Sequence, residues 1–120
     1  MERYVDGFIV AVQRKNLENY KRLSEEMGKI WKEYGALQYV ETVGDDMSKM
    51  QGLLSFPELV KPKKDEVILF SWILYKSKGH RDEINRKVMR DPRVKDNMNK
   101  TIPFDSKRMA YGGFSTIVDK

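Results

Sequence analysis

The chain contains no cysteine, which removes disulfides, thiol catalysis, iron–sulfur clusters and thiolate zinc sites at once. It contains a single histidine, His80, and one imidazole without partners does not define a metal site. Long apolar runs are also missing: Phe8–Val12 and Val67–Tyr75 fall far short of the roughly 20 residues a membrane helix requires. Tyr4–Val12 does not read as a secretory signal, because Asp6 interrupts it and no basic region precedes it. The cytoplasm is therefore the expected compartment. Neither GxGxxG nor the P-loop spacing with its lysine occurs, so no nucleotide loop is read, and no cofactor is expected.

What is present describes a globular protein. The 120 residues are 40% hydrophobic and 34% charged, enough for one domain over residues 1–120 with a single core. The net charge of +5 comes from 23 basic and 18 acidic residues, interspersed along most of the chain. The clearest basic excess runs through Arg86, Lys87, Arg90, Arg93 and Lys95, but Asp82, Glu83, Asp91 and Asp96 are mixed into it. No aromatic residue lies between His80 and Ile102, so the stacking platform of a single-strand nucleic-acid binder is missing there. A solvated helix face is the reading, and neither nucleic acid nor membrane is an expected partner.

Four strand-like runs alternate with two amphipathic helical stretches in the order β-α-β-β-α-β. The first strand, Tyr4–Val12, carries one set of Asp6, Phe8, Val10 and Val12 and an opposite set of Val5, Gly7, Ile9 and Ala11. The smaller Gly7 set is expected to meet the helices, where a missing side chain permits close approach. Helix one is expected from Asn16, a good N-cap, to Gly35, a good C′ residue, with a stripe of Leu17, Tyr20, Leu23, Met27, Ile30, Trp31 and Tyr34. Strand two follows at Ala36–Val43. Residues 44–65 form an irregular insertion, within which Ser55–Val60 can make a short helix with proline in its first turn. Strand three, Val67–Tyr75, reads as a central strand covered on both faces. Helix two follows Ser77 as N-cap, Asp91-Pro92 restarts it, and the last strand spans Met109–Val118 with Gly112-Gly113 inside.

That order predicts an α+β fold: a ferredoxin-like protomer with an antiparallel sheet and both helices on one face. The opposite face remains apolar. At about 25 cal/mol per Å², leaving several large side chains wet costs several kcal/mol. A second copy, closing sheet against sheet, is the simplest cover, and the symmetric dimer is the commonest oligomer. A monomer sheltered by the 44–65 insertion is the competing arrangement.

Tyr4-Val5-Asp6-Gly7-Phe8, Val67–Trp72, His80-Arg81-Asp82, Lys87-Val88-Met89, Asp91-Pro92-Arg93 and the run from Pro103 to Phe114 together resemble the YbaA-like family of small bacterial proteins of unknown function. The similarity spans essentially the whole chain. It implies a dimeric α+β barrel, a superfamily that includes cofactor-free monooxygenases, isomerases and ligand-sensing domains. It brings no catalytic residues with it.

Candidate catalytic groups are Asp6, as proton acceptor or ligand anchor facing the shared interior of the dimer, and His80, as general base or anion contact. Lys107 and Arg108, at the start of the last strand, are the cations placed near Asp6; a structural ion pair is the plainer account of that carboxylate. An exposed helix-start position is the plainer account of His80. Ser71, Arg108, Tyr111, Gly112 and Gly113 are candidate ligand contacts, although the glycines equally serve packing. Tyr39, Glu41, Ser71 and Tyr111 can offer polar groups to a cavity, and a one-residue slip in register reverses the face of each. The functional expectation is binding, and where chemistry occurs proton transfer on, a small organic molecule between the sheets of a homodimer. A non-catalytic module contacting a protein or nucleic acid is the alternative.

Overall fold

β1, Tyr4–Gln13, leads through a 3-10 turn at Arg14–Asn16 into α1, Leu17–Glu33. Gly35 then takes φ +115°, a left-handed conformation that releases the chain from the helix. β2 spans Gln38–Val43, and a short α2, Phe56–Val60, is closed by reciprocal capping between Ser55 and Glu58 with Pro57 in its first turn. β3 spans Glu66–Tyr75 and α3 spans Lys78–Met89, where the Ser77 hydroxyl accepts the His80 N–H. α4, Pro92–Met98, starts at Asp91, whose carboxylate accepts the Arg93 N–H at 2.8 Å. A 3-10 turn at Ser106–Arg108 precedes β4, Ala110–Ser115, which is shorter than the sequence pattern suggests. The computed structural model describes residues 2–98 and 100–120. Among these, no helix is long and apolar enough to cross a membrane.

The strands form one sheet of order β2-β3-β1-β4, every neighbouring pair antiparallel. The register fixes which side chains share a face. Asp6 stands opposite Ile73 and Gly113, Phe8 opposite Ser71 and Tyr111, and Glu41 opposite Ser71. This face is the one α1 and α3 cover. Ile30, Ile84 and Val88 pack with Ile73 and Tyr75 at one end, and Tyr20 packs with Val10, Val12 and Leu69 at the other.

The expected facing of β1 is therefore reversed: the Asp6 set, not the Gly7 set, meets the helices. Two contacts explain this. Asp6 is tolerated under the helices because Arg81 of α3 reaches it. Gly7 serves the other face, where a Cβ would lie 3.2 Å from the Phe114 ring that crosses it. Asp6 consequently does not face a space shared between sheets.

The uncovered face carries Val5, Ile9, Phe70, Trp72, Leu74 and Phe114. α2, from the 44–65 segment, lies over one end of it, where the Phe56 ring meets Phe70 at 6.2 Å. Ala11 and Ile68 are buried at that end, while Phe70 and Phe114 remain 43% and 61% exposed. The segment shelters part of this face and leaves the rest bare.

Candidate functional site

Between α1, α3 and the sheet lies a cavity of about 550 Å³. Met27 and Leu23 of α1, Met89 of α3, and Phe104 and Met109 from the approach to β4 give it apolar walls. Ser71, at the centre of β3, lines it from the sheet side. Polar groups gather at two ends, and each end has its own chemistry.

At the first end Asp6 is 2% exposed. Its Oδ1 accepts hydrogen bonds from Arg81 Nη1 at 2.7 Å and from the Tyr111 hydroxyl at 3.0 Å. Arg81 reaches this point because the Ser77 cap sets the first turn of α3 beside the end of β3. Its guanidinium lies 4.8 Å from the centre of the Tyr4 ring and also donates to Asp82. Burial opposes the charge on Arg81, but Asp82, Asp6 and Tyr111 more than offset it, so its pKa is raised. Nearby, Trp31 Nε1 donates to the Tyr75 hydroxyl at 3.2 Å and to Asn85 Oδ1 at 3.3 Å. Burial, reinforced by the Asp6 charge, pushes the Tyr75 phenol up, and Tyr111 moves the same way for the same reasons. This end is a closed, compensated network.

At the second end stands Glu41 of β2. Both its carboxylate oxygens accept from the Tyr20 hydroxyl, at 3.0 and 3.1 Å. No ion pair among the described residues involves it, in contrast to Asp6. Burial raises the Glu41 carboxyl above its usual range, only partly opposed by the Ser24 and Tyr20 hydroxyls. Burial likewise pushes Tyr39 up to about 12, and raises Tyr20 further. Ser24 donates to the Tyr39 hydroxyl at 3.3 Å. α1 comes this close to β2 because Gly28 lacks a side chain: a Cβ there would lie 2.6 Å from the Tyr39 ring.

Of the residues anticipated from sequence, Asp6, Ser71, Tyr111, Tyr39 and Glu41 all line the cavity. His80, Arg108, Gly112 and Gly113 do not. His80 closes the start of α3, its Nδ1 accepting the Lys76 N–H at 3.0 Å and its ring meeting Tyr75 edge-on. Arg108 does not pair with Asp6. It grips Glu66 in a two-pronged contact at 2.7 and 2.8 Å, and that hydrogen bonding holds the Glu66 carboxyl down at about 2. The pair pins the segment carrying Phe104 and Met109 to the start of β3. Lys107 donates its backbone N–H to Asp105 in the same turn. Gly113 makes room for the Tyr4 ring, and Gly112 for Phe114 on the opposite face.

Tyr20, Trp31, Arg81 and Asn85 were not anticipated as site residues. In sequence Tyr20 and Trp31 are ordinary members of an apolar helical stripe. The signal that could have found Arg81 is its position four residues after the Ser77 cap, on the same side as Ile84 and Val88. Among the described residues, no three histidine or carboxylate side chains converge as a metal ion requires.

A family described as "Protein of unknown function (DUF1428)" matches residues 3–106. The "Uncharacterized protein YbaA" of Escherichia coli (strain K12) is 42% identical over 118 residues, which covers 98% of this chain and 99% of that protein. The protein of the same name from Shigella flexneri matches to the same extent.

Proposed function

The chain belongs to the DUF1428 family of proteins of unknown function, and from that premise we propose that it binds a small organic molecule in the cavity between its helices and its sheet. The single observation that carries this reading is the cavity itself. At about 550 Å³ it has the size of small-molecule sites, with apolar walls and a few convergent polar groups from Asp6, Glu41, Ser71 and Tyr111. Where a reaction follows, Glu41 is the group placed for proton transfer, being a carboxyl with raised pKa inside the cavity rather than one committed to a cation. Asp6 is the less suitable acceptor, since Arg81 and Tyr111 already occupy it.

The protomer is proposed to be ferredoxin-like, and two copies are proposed to pair through the uncovered sheet face as a dimeric α+β barrel. What supports this is the strand order β2-β3-β1-β4 and the apolar strip from Val5 to Phe114 that α2 leaves bare. Each protomer then carries its own cavity on the outer side of the sheet, not one shared pocket between sheets. Sedimentation equilibrium checks the pairing: the native protein is expected at twice its chain mass, and Trp72→Arg at the chain mass. A native monomer at micromolar concentration contradicts it. The binding reading is tested by protein-observed NMR against a fragment library. Shifts are expected at Met27, Ser71 and Met89, with those of Met27 and Ser71 lost in Met89→Trp, which puts a larger side chain into the cavity wall. Hits that map only to the opposite sheet face would count against the cavity.

A further inference from the structure

The lining of the cavity is asymmetric in charge. Among the described residues, two carboxylates, Asp6 and Glu41, line it, and no lysine or arginine does. Asp6 is matched from behind by Arg81, which approaches through α3 and stands outside the lining. Glu41 accepts from the Tyr20 phenol, a neutral donor that can stabilise a carboxylate without balancing its charge, and no ion pair among the described residues reaches it. The walls around Glu41 are aromatic: Tyr20 packs edge-on to Phe104 at 5.6 Å, and Tyr39 lies 6.2 Å from Trp31. A half-buried carboxylate beside two tyrosine rings, in no ion pair among the described residues, is an arrangement that a positive charge completes.

We propose that the ligand of this cavity is an organic amine: a protonated ammonium group seated at Glu41 beside the rings of Tyr20 and Tyr39, with an apolar body lying along Met27, Met89 and Phe104. The inference rests on the binding reading above and adds the ligand's charge and orientation. Neutral ligands leave Glu41 as unbalanced as it is in the empty protein. Anionic ligands place like charge beside it, in a cavity whose lining offers no cation. The apolar walls require more than ammonium alone, because their burial supplies the area-dependent part of the affinity. Ser71, opposite Glu41 in the register, offers a hydroxyl to a second polar atom of the ligand.

The test is calorimetric titration of the native protein with three probes of one shape: naphthylethylamine, naphthylethanol and naphthylacetate. The amine is expected to bind about tenfold tighter than the alcohol, with the acid weakest. Glu41→Gln is expected to remove the preference for the amine over the alcohol. Equal affinities for all three probes, or tightest binding of the acid, overturn the amine assignment and leave the cavity reading standing. Absence of binding by any probe overturns both. The comparison of probes uses the native protein alone, so it decides the matter even if the variant does not fold.

Discussion

The two ends of the cavity hold the same functional group in opposite situations. Asp6 is almost wholly buried and bound by Arg81 and Tyr111; Glu41 is less buried, accepts from the Tyr20 phenol and, among the described residues, takes part in no ion pair. The first arrangement resists change, because removing Arg81 strands the Asp6 charge in the interior. The second invites it, because a ligand can supply what the fold has left out. One carboxylate joins the helices to the sheet; the other, among the described residues, is engaged by no cation.

The largest effect is expected from breaking the compensated end. Arg81→Met should cost about 3 kcal/mol in urea denaturation, since it leaves Asp6 buried without a cation. Adding Asp6→Asn to that variant should recover part of the loss, as expected when two groups act as a unit. Gly28→Ala is next. Its methyl would press on the Tyr39 ring at 2.6 Å, and moving α1 away from β2 should cost about 2 kcal/mol by thermal or urea unfolding.

The glutamates sharpen the comparison through pH. Glu66, held at about 2 by Arg108, adds stability that is fully present above its ordinary value of 4.5 and is lost as pH falls from there toward 2. Glu66→Gln should therefore destabilise the protein by about 1 kcal/mol at neutral pH, and the difference should vanish in unfolding measured near pH 2. Glu41 has the opposite sign. Its raised folded-state pKa favours the neutral acid, so its contribution is complete below 4.5 and is lost as pH rises through the folded value. Glu41→Gln should have the smallest effect and the reverse direction: a modest rise in melting temperature at pH 7 and none at pH 4. Should Glu41→Gln instead destabilise the protein at pH 7, the two ends of the cavity would be alike.

Much of the scaffold was legible in the residues. Gly35 ends α1, Ser77 and Asp91 start α3 and α4, and the Ser55–Glu58 pair starts α2, because capping is local chemistry that sequence displays directly; Asn16 stands where α1 begins, but its side chain makes no capping hydrogen bond. Period-two alternation displayed the two faces of β1 but not which one meets the helices. The size of Gly7 argued for the helix side, whereas the aromatic ring of Phe114 needed that space on the other side. The site was legible in part. Asp6, Glu41, Ser71 and Tyr111 were polar groups in apolar strands, and the register brought them to one face. Their partners were not legible, since Arg81 is 75 residues from Asp6 and Tyr20 is 21 from Glu41. In sequence, His80 is a lone imidazole and Arg108 a cation near the last strand. Each is engaged by a neighbour that only the folded chain supplies, the Lys76 N–H and the Glu66 carboxylate.

The most direct measurement of the central claim is a set of intermolecular NOEs between naphthylethylamine and methyl-labelled methionines. Met27, Met89 and Met109 line the cavity, while Met47, Met50 and Met98 do not. The structure predicts cross-peaks to the first three and none to the others. Cross-peaks confined to Met47 and Met50, or a ligand seated on the bare sheet face around Phe70 and Phe114, would contradict it.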